Sequence, residues 1–130
     1  MRKETENWLS ASEYDINTAE HLLKSGRYLY VVFMCHLAIE KTMKAIITED
    51  TKKLPPKTHD LIYLADLTSI RFPANLLDFI GKINSASIVT RYPEDIKKAV
   101  AAYSETVASD YLDKTKEAVK WLRLQRKLTE

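Results

Sequence analysis

"RYLYVVFMCHLAIEKTMKAIITED", residues 27–50, is the stretch on which the fold turns. Tyr28 to Cys35 are all apolar, and Val31 and Val32 are β-branched, so this first part alone would suit a buried strand. The pattern then continues through Leu37, Ala38, Ile39, Met43, Ile46 and Ile47, far beyond the length of a usual strand of about six residues. The segment is predicted to be a helix. Its first half is apolar nearly all round and should be enclosed by neighbours.

Outward from it, the punctuation is sparse. Upstream, "ENWLSASEYDINTAEHLLKSG" (6–26) reads as a first helix, with Trp8, Ala11, Ser12, Asp15, Ile16, Ala19, Leu22 and Leu23 at helical spacing and Gly26 as its stop. Downstream, the paired prolines of "TKKLPPKT" (51–58) break the second helix. A third starts near "THDLIYLADL" (58–67), with Thr58 as N-cap and Asp60 in the first turn. A fourth runs from about Pro73 through "ANLLDFIGKINSASIVT" (74–90), with Leu76, Leu77, Ile80, Ile83 and Ile88 toward the core. After "TRYPED" (90–95) come a short helical piece at 96–103 and a long last helix from about Ser104, carrying Val107, Tyr111, Leu112, Val119 and Leu122. Trp8 and Trp121 lie on apolar helical faces and are expected in the core.

The expected fold is all-α: an up-and-down antiparallel bundle of four main helices plus a short fifth, in one domain spanning residues 1–130. Only two glycines and four prolines in 130 residues argue the same way, against a barrel or sandwich rich in tight turns. A net charge of +2 makes the chain as a whole no attractor of nucleic acid, so local patches must carry any such role. The lone Cys35 excludes an internal disulfide or a multi-cysteine metal site and is expected to be buried. No signal-peptide core and no span of about 18 apolar residues is present, so the expected location is the cytoplasm, with no membrane partner.

Four places could carry chemistry. His36, Glu40 and Lys44 recur every four residues and form one stripe, with Lys41 beside it. This is a satisfied polar seam or solvated edge of helical ion pairs, or else a cleft whose lysines take a phosphate. His36 and Glu40 have metal-ligand spacing, but no H-E-x-x-H accompanies them, and no metal or other cofactor is expected. In "KTHD", residues 57–60, a helix start with Lys57 and His59 beside it is either a plain cap or a small anion site; His21 is expected at the surface. In "TRYPED", Arg91 suits a helix C-terminus, Pro93 the first position of the next helix, and Glu94 and Asp95 its first turn. Arg91 also suits bidentate phosphate recognition, and Tyr92 base stacking. From Asp113 to Lys127 the last helix holds six cations against two acids, either an RNA-binding face or dipole complementation. Glycine-rich phosphate loops and nucleophile motifs are absent from the sequence.

Taken in order, Trp8, Ala11, Asp15, Ala19 and Leu22, then "AIEKTMKAI" (38–46), "KTHDL" (57–61) and "TRYPED" (90–95), resemble the HEPN domain (higher eukaryotes and prokaryotes nucleotide-binding) over about residues 5–126. The resemblance implies a helical bundle that often dimerises. It further implies a two-protein system with a minimal nucleotidyltransferase, in which the HEPN protein is often the toxin and the transferase its antitoxin. Toxin members are metal-independent ribonucleases with an arginine and a histidine in R-x(4–6)-H. This chain departs from that pattern. Ile96, Lys97 and Lys98 stand where the histidine after Arg91 is required, and lysine is a poor proton exchanger near neutral pH.

The reading that follows is a non-catalytic, homodimeric module binding a nucleotide, RNA or a nucleotidyltransferase. Lys41, Lys44 and Arg91 would neutralise phosphate, His59 would donate a hydrogen bond, Tyr92 would stack on a base and Glu40 would orient a basic neighbour. An atypical ribonuclease is the alternative, with Arg91 stabilising the phosphorane and His59 as acid or base; it requires those two side chains to share one cleft. A purely structural dimeric protein is the third.

Overall fold

The structure, a computed structural model, describes residues 1–128, and every regular element among them is a helix. In chain order these are α1 (Lys3–Lys24), α2 (Tyr28–Thr51), α3 (Leu61–Leu67), α4 (Ala74–Arg91), α5 (Ile96–Ala101) and α6 (Glu105–Gln125). These are the six segments read along the sequence, and the total of four main helices plus a short fifth undercounts them by one, since α3 is a second short helix beside four long ones. α3 stops after seven residues, where the chain turns through Ser69, at φ +57°, and it forms no regular element again until α4 begins after Pro73.

The apolar run of residues 28–47 is the axis of this bundle. α2 packs against all five other helices. Val31, Val32, Ala38, Ile39, Met43, Ala45 and Ile46 have no exposed surface, which is why this segment lacks a polar face. Burying each of its larger side chains contributes roughly 1.5–3 kcal/mol. α1 lies antiparallel to it, since polar ties pair early α1 with late α2: the Thr5 hydroxyl donates to Glu49 (2.8 Å), Ser12 to the Ala38 carbonyl (2.8 Å), and Asp15 meets Lys41 (2.8 Å). Cys35 is buried as expected, and its thiol is pushed up to about 12 by that burial.

The turn joining α1 to α2 is set by Gly26, which adopts φ +80°. The Arg27 amide donates to the Leu22 carbonyl (2.9 Å) and the Gly26 amide to that of Leu23 (3.3 Å), the paired bonds of a Schellman C-cap. An added Cβ would meet only the Tyr28 hydroxyl, at 3.9 Å, so its cost is conformational rather than steric. Gly26→Ala is expected to lower stability by about 1 kcal/mol without moving the helices, measurable by urea unfolding.

Several local expectations are corrected. Leu77, Ile88 and Val107 are exposed, because the buried stripe of α4 runs through Phe79, Ile80, Ile83, Ala86, Ser87 and Thr90, while that of α6 begins at Ala108. The N-cap of α3 is Asp60, whose carboxylate accepts from the Ile62 and Tyr63 amides; Thr58 instead accepts from the Asp60 amide. Asp95 caps α5 in the same way, so Pro93 and Glu94 precede that helix rather than open it. Trp8 and Trp121 are partly buried against the core rather than enclosed in it. No helix among the described residues is long and apolar enough to cross a membrane.

Candidate functional site: a basic cluster around Glu40

The stripe on α2 is not a solvated edge. His36, Glu40 and Lys44 are 0%, 3% and 6% exposed, so three ionisable groups lie inside the bundle on successive turns of its central helix. A buried carboxylate is tolerated only when it is paired and hydrogen-bonded. Glu40 is the hub. Its Oε2 accepts from Lys44 Nζ at 3.0 Å, and its Oε1 accepts from His59 Nδ1 at 2.9 Å. Arg91 Nη2 lies 3.7 Å from the same Oε1.

Arg91, the last residue of α4, is mostly buried and held from three sides. Besides Glu40, its guanidinium lies over the Phe33 ring at 4.8 Å and donates from Nη2 to His36 Nδ1 at 3.3 Å. An arginine can only donate, so His36 Nδ1 is unprotonated and the ring is the neutral Nε2–H tautomer. Burial, partly opposed by the Glu40 carboxylate and reinforced by Arg91, lowers the His36 pKa to about 4. Two buried nitrogens of this group, His36 Nε2 and Arg91 Nε, make no hydrogen bond.

His59 is different in kind. It projects from the loop between α2 and α3, and its side chain is 59% exposed. Donating from Nδ1 to a carboxylate fixes its neutral tautomer, which leaves Nε2 as the free acceptor of the ring. The loop is positioned at its end by Asn84 of α4, which accepts from the Leu61 amide (2.9 Å) and donates to Asp60 (3.2 Å). Asp60 occupies the backbone amides at the α3 start, so the anion position considered for "KTHD" is filled by the chain's own carboxylate.

Of the residues singled out from sequence, Glu40, Lys44, His59 and Arg91 are thus brought together. Lys41 is not among them: it pairs with Asp15 on the α1–α2 seam. Lys44 also sits over the Trp8 ring at 5.5 Å. Tyr92 follows Arg91 and is 74% exposed, free of any described partner. In all, one carboxylate faces an ammonium and a guanidinium, so the cluster keeps a surplus of positive charge. The six cations expected on the last helix are less available than their number suggests, and Arg126 and Lys127 lie just beyond the end of α6. Lys114, Lys116, Arg123 and Arg126 pair with Asp110, Glu20, Glu13 and Asp50 respectively.

The residue that sequence reasoning missed is His36 as a partner of Arg91. It lies 55 positions before the arginine and reaches it from another helix, whereas a spacing motif looks only a few positions downstream. The available signal was its place in the Glu40 stripe.

Comparison with known proteins agrees with this architecture. A crystal structure of TT1696 from Thermus thermophilus superposes with a TM-score of 0.79 at 21% identity, covering 94% of this chain and 98% of that one. A crystal structure of ST0689, an archaeal HEPN homologue, gives a TM-score of 0.76 at 20% identity, covering 95% and 98%. At such identities the likeness speaks for the fold alone. No curated protein sequence matches the chain. The family model described as HEPN domain matches residues 5–126, which takes in α2, the His59 loop and Arg91, and on that match the chain belongs to the HEPN domain family.

Proposed function

We propose that this chain is a non-catalytic HEPN binding module whose Glu40-centred cluster takes a phosphate-bearing ligand, a nucleotide or RNA. The observation that carries this reading is the convergence of Arg91, His59 and Lys44 on one buried carboxylate. Glu40 and Lys44 largely balance each other, which leaves the guanidinium to meet an anion by charge-assisted hydrogen bonds, joined by the exposed imidazole when its Nε2 carries a proton. Tyr92, exposed beside Arg91, offers a ring for a base to stack on. Lys41, held by Asp15, is left out of this set.

Titration with ATP and with a short RNA tests the proposal. Saturable binding is expected, weakened roughly tenfold or more in Arg91→Ala, since a lost hydrogen bond to a charged group costs about 1.5–3 kcal/mol. No saturable signal at millimolar ligand would leave the scaffold reading in its place.

In this proposal the chain works as a homodimer and as the HEPN half of a pair with a minimal nucleotidyltransferase. Exposed Ile88, Ile96 and Val100, at the α4–α5 turn near Arg91, supply an apolar surface suited to self-association. Sedimentation of the purified chain distinguishes dimer from monomer.

A second reading, cleavage of RNA without a metal, is favoured by one specific observation. Arg91 and His59 approach the same Glu40 oxygen, and the His59 Nε2 left free is a suitable proton acceptor. It predicts RNA cleavage in EDTA that falls at least about 100-fold in His59→Ala. Intact RNA after prolonged incubation excludes it.

A further inference from the structure

A second surface, formed by α3, α4 and α6, has a chemistry opposite to that of the Glu40 cluster. α4 and α6 both pack on α2 and meet each other through Phe79 and Lys82 against Tyr111, and between the first half of α4 and the middle of α6 lies a cavity of about 490 Å³. Its floor is Leu76, Phe79, Ala118 and Trp121. On the other side of the α4 start, α3 and the 70–72 segment border a shallower cavity of about 610 Å³, with Ile62, Tyr63, Phe72 and Leu77 in its lining. The two are neighbours. Leu76 and Leu77, adjacent in α4, line one each, and the Phe72 ring lies 5.5 Å from that of Trp121.

The rim of this double groove is acidic. Asp78 and Glu117 line the first cavity, Asp60 and Asp66 the second, and none of the four forms a salt bridge among the described residues. This contrasts with the α1–α6 side, where Glu13 and Glu20 each hold a cation. Two lysines also line the first cavity, and both are engaged elsewhere. Lys82, one turn after Asp78, places its ammonium over the Tyr111 ring at 5.2 Å, and Lys114 turns back to Asp110 at 3.1 Å. Arg71 belongs to neither lining. Asp60 is already hydrogen-bonded as the α3 N-cap, but like the other three it has no cation paired with it, and such carboxylates around exposed Ile62, Tyr63 and Leu77 are suited to a partner that brings both cations and apolar anchors.

We propose that the groove on either side of the α4 start docks a basic amphipathic polypeptide segment, its apolar side chains entering the two cavities and its lysines or arginines meeting Asp60, Asp66, Asp78 and Glu117. Opposite charge around an apolar floor gives orientation as well as attraction. It also disfavours RNA on this side of the molecule, so polypeptide and phosphate ligands are sorted to different surfaces.

The test uses the full chain and two synthetic helical peptides that share one leucine-bearing face, one with lysine and the other with glutamate on the polar face. In amide-resolved NMR titrations the lysine peptide is expected to bind saturably, shifting resonances of residues 60–82 and 114–121, and to weaken as salt rises. The glutamate peptide should bind at least tenfold more weakly. Asp66→Lys with Asp78→Lys, both exposed and in no salt bridge among the described residues, should weaken the lysine peptide at least tenfold while leaving the thermal melt unchanged. Glu117→Gln should give a smaller loss in the same direction. Equal binding of the two peptides, shifts that map to another surface, unaltered binding to the double variant, or no saturable binding would each overturn the proposal.

Discussion

Glu40→Ala is expected to destabilise the protein by about 3–5 kcal/mol, the usual cost of removing one member of a buried ion pair. The lost carboxylate is the acceptor for Lys44 and His59 and the nearest negative charge to Arg91. Without it, Lys44 is left nearly enclosed with only the Trp8 ring as partner, and Arg91 keeps a neutral imidazole and the Phe33 ring. For a chain of this size the melting temperature should fall by roughly 10 °C or more. Glu40→Gln keeps the volume and an acceptor oxygen but not the charge, so it should recover part of the loss. The comparison by urea unfolding separates charge balance from packing. A loss below about 1 kcal/mol in Glu40→Ala would mean that the cluster is not electrostatically dependent on its hub.

Acid provides the second large effect. A histidine in the unfolded chain takes up a proton below about 6.5, whereas folded His36 resists it down to about 4. Between those values the unfolded state binds more protons, so His36 makes stability fall as pH decreases from 6.5 toward 4; above 6.5 it adds no pH dependence. The full span corresponds to roughly 3 kcal/mol, most of it lost by pH 4.5. Protonation would also turn the Nδ1 acceptor of Arg91 into a second cation against the guanidinium. The measurement is urea unfolding at pH 7.5 and 4.5 for the wild type and for His36→Gln. Glu49 adds acid sensitivity of its own, since the Arg2 amide and the Thr5 hydroxyl hold its carboxyl below its usual range. That contribution is common to both proteins and cancels in the comparison. Equal pH slopes would show that His36 is not buried as a neutral ring.

These two predictions rest on a cluster whose members were legible in the sequence but whose wiring was not. His36, Glu40 and Lys44 share one stripe by helical periodicity alone. The apolar run from Tyr28 to Cys35 implied only that the first half of the helix is enclosed; that the stripe after it is buried too follows from α2 being the axis of the bundle, which the tertiary structure decided. The convergence of His59 and Arg91 on Glu40 was not legible, because they come from a loop and from the end of α4, 19 and about 50 positions away. The same limit explains Lys41, which looked like a member of the cluster and is instead turned one position round the helix onto Asp15.

By itself the sequence determined the helical class, the central helix and the stops at Gly26 and at the paired prolines. Each depends on local conformational preference and on the period with which apolar residues recur. Only the tertiary structure decided which charges meet. It gave Glu40 its three basic partners, paired off most of the cations of α6, and left the acids around the start of α4 without salt bridges among the described residues. Pairing between helices depends on their relative placement and rotation, and the spacing of residues along one helix carries no record of either.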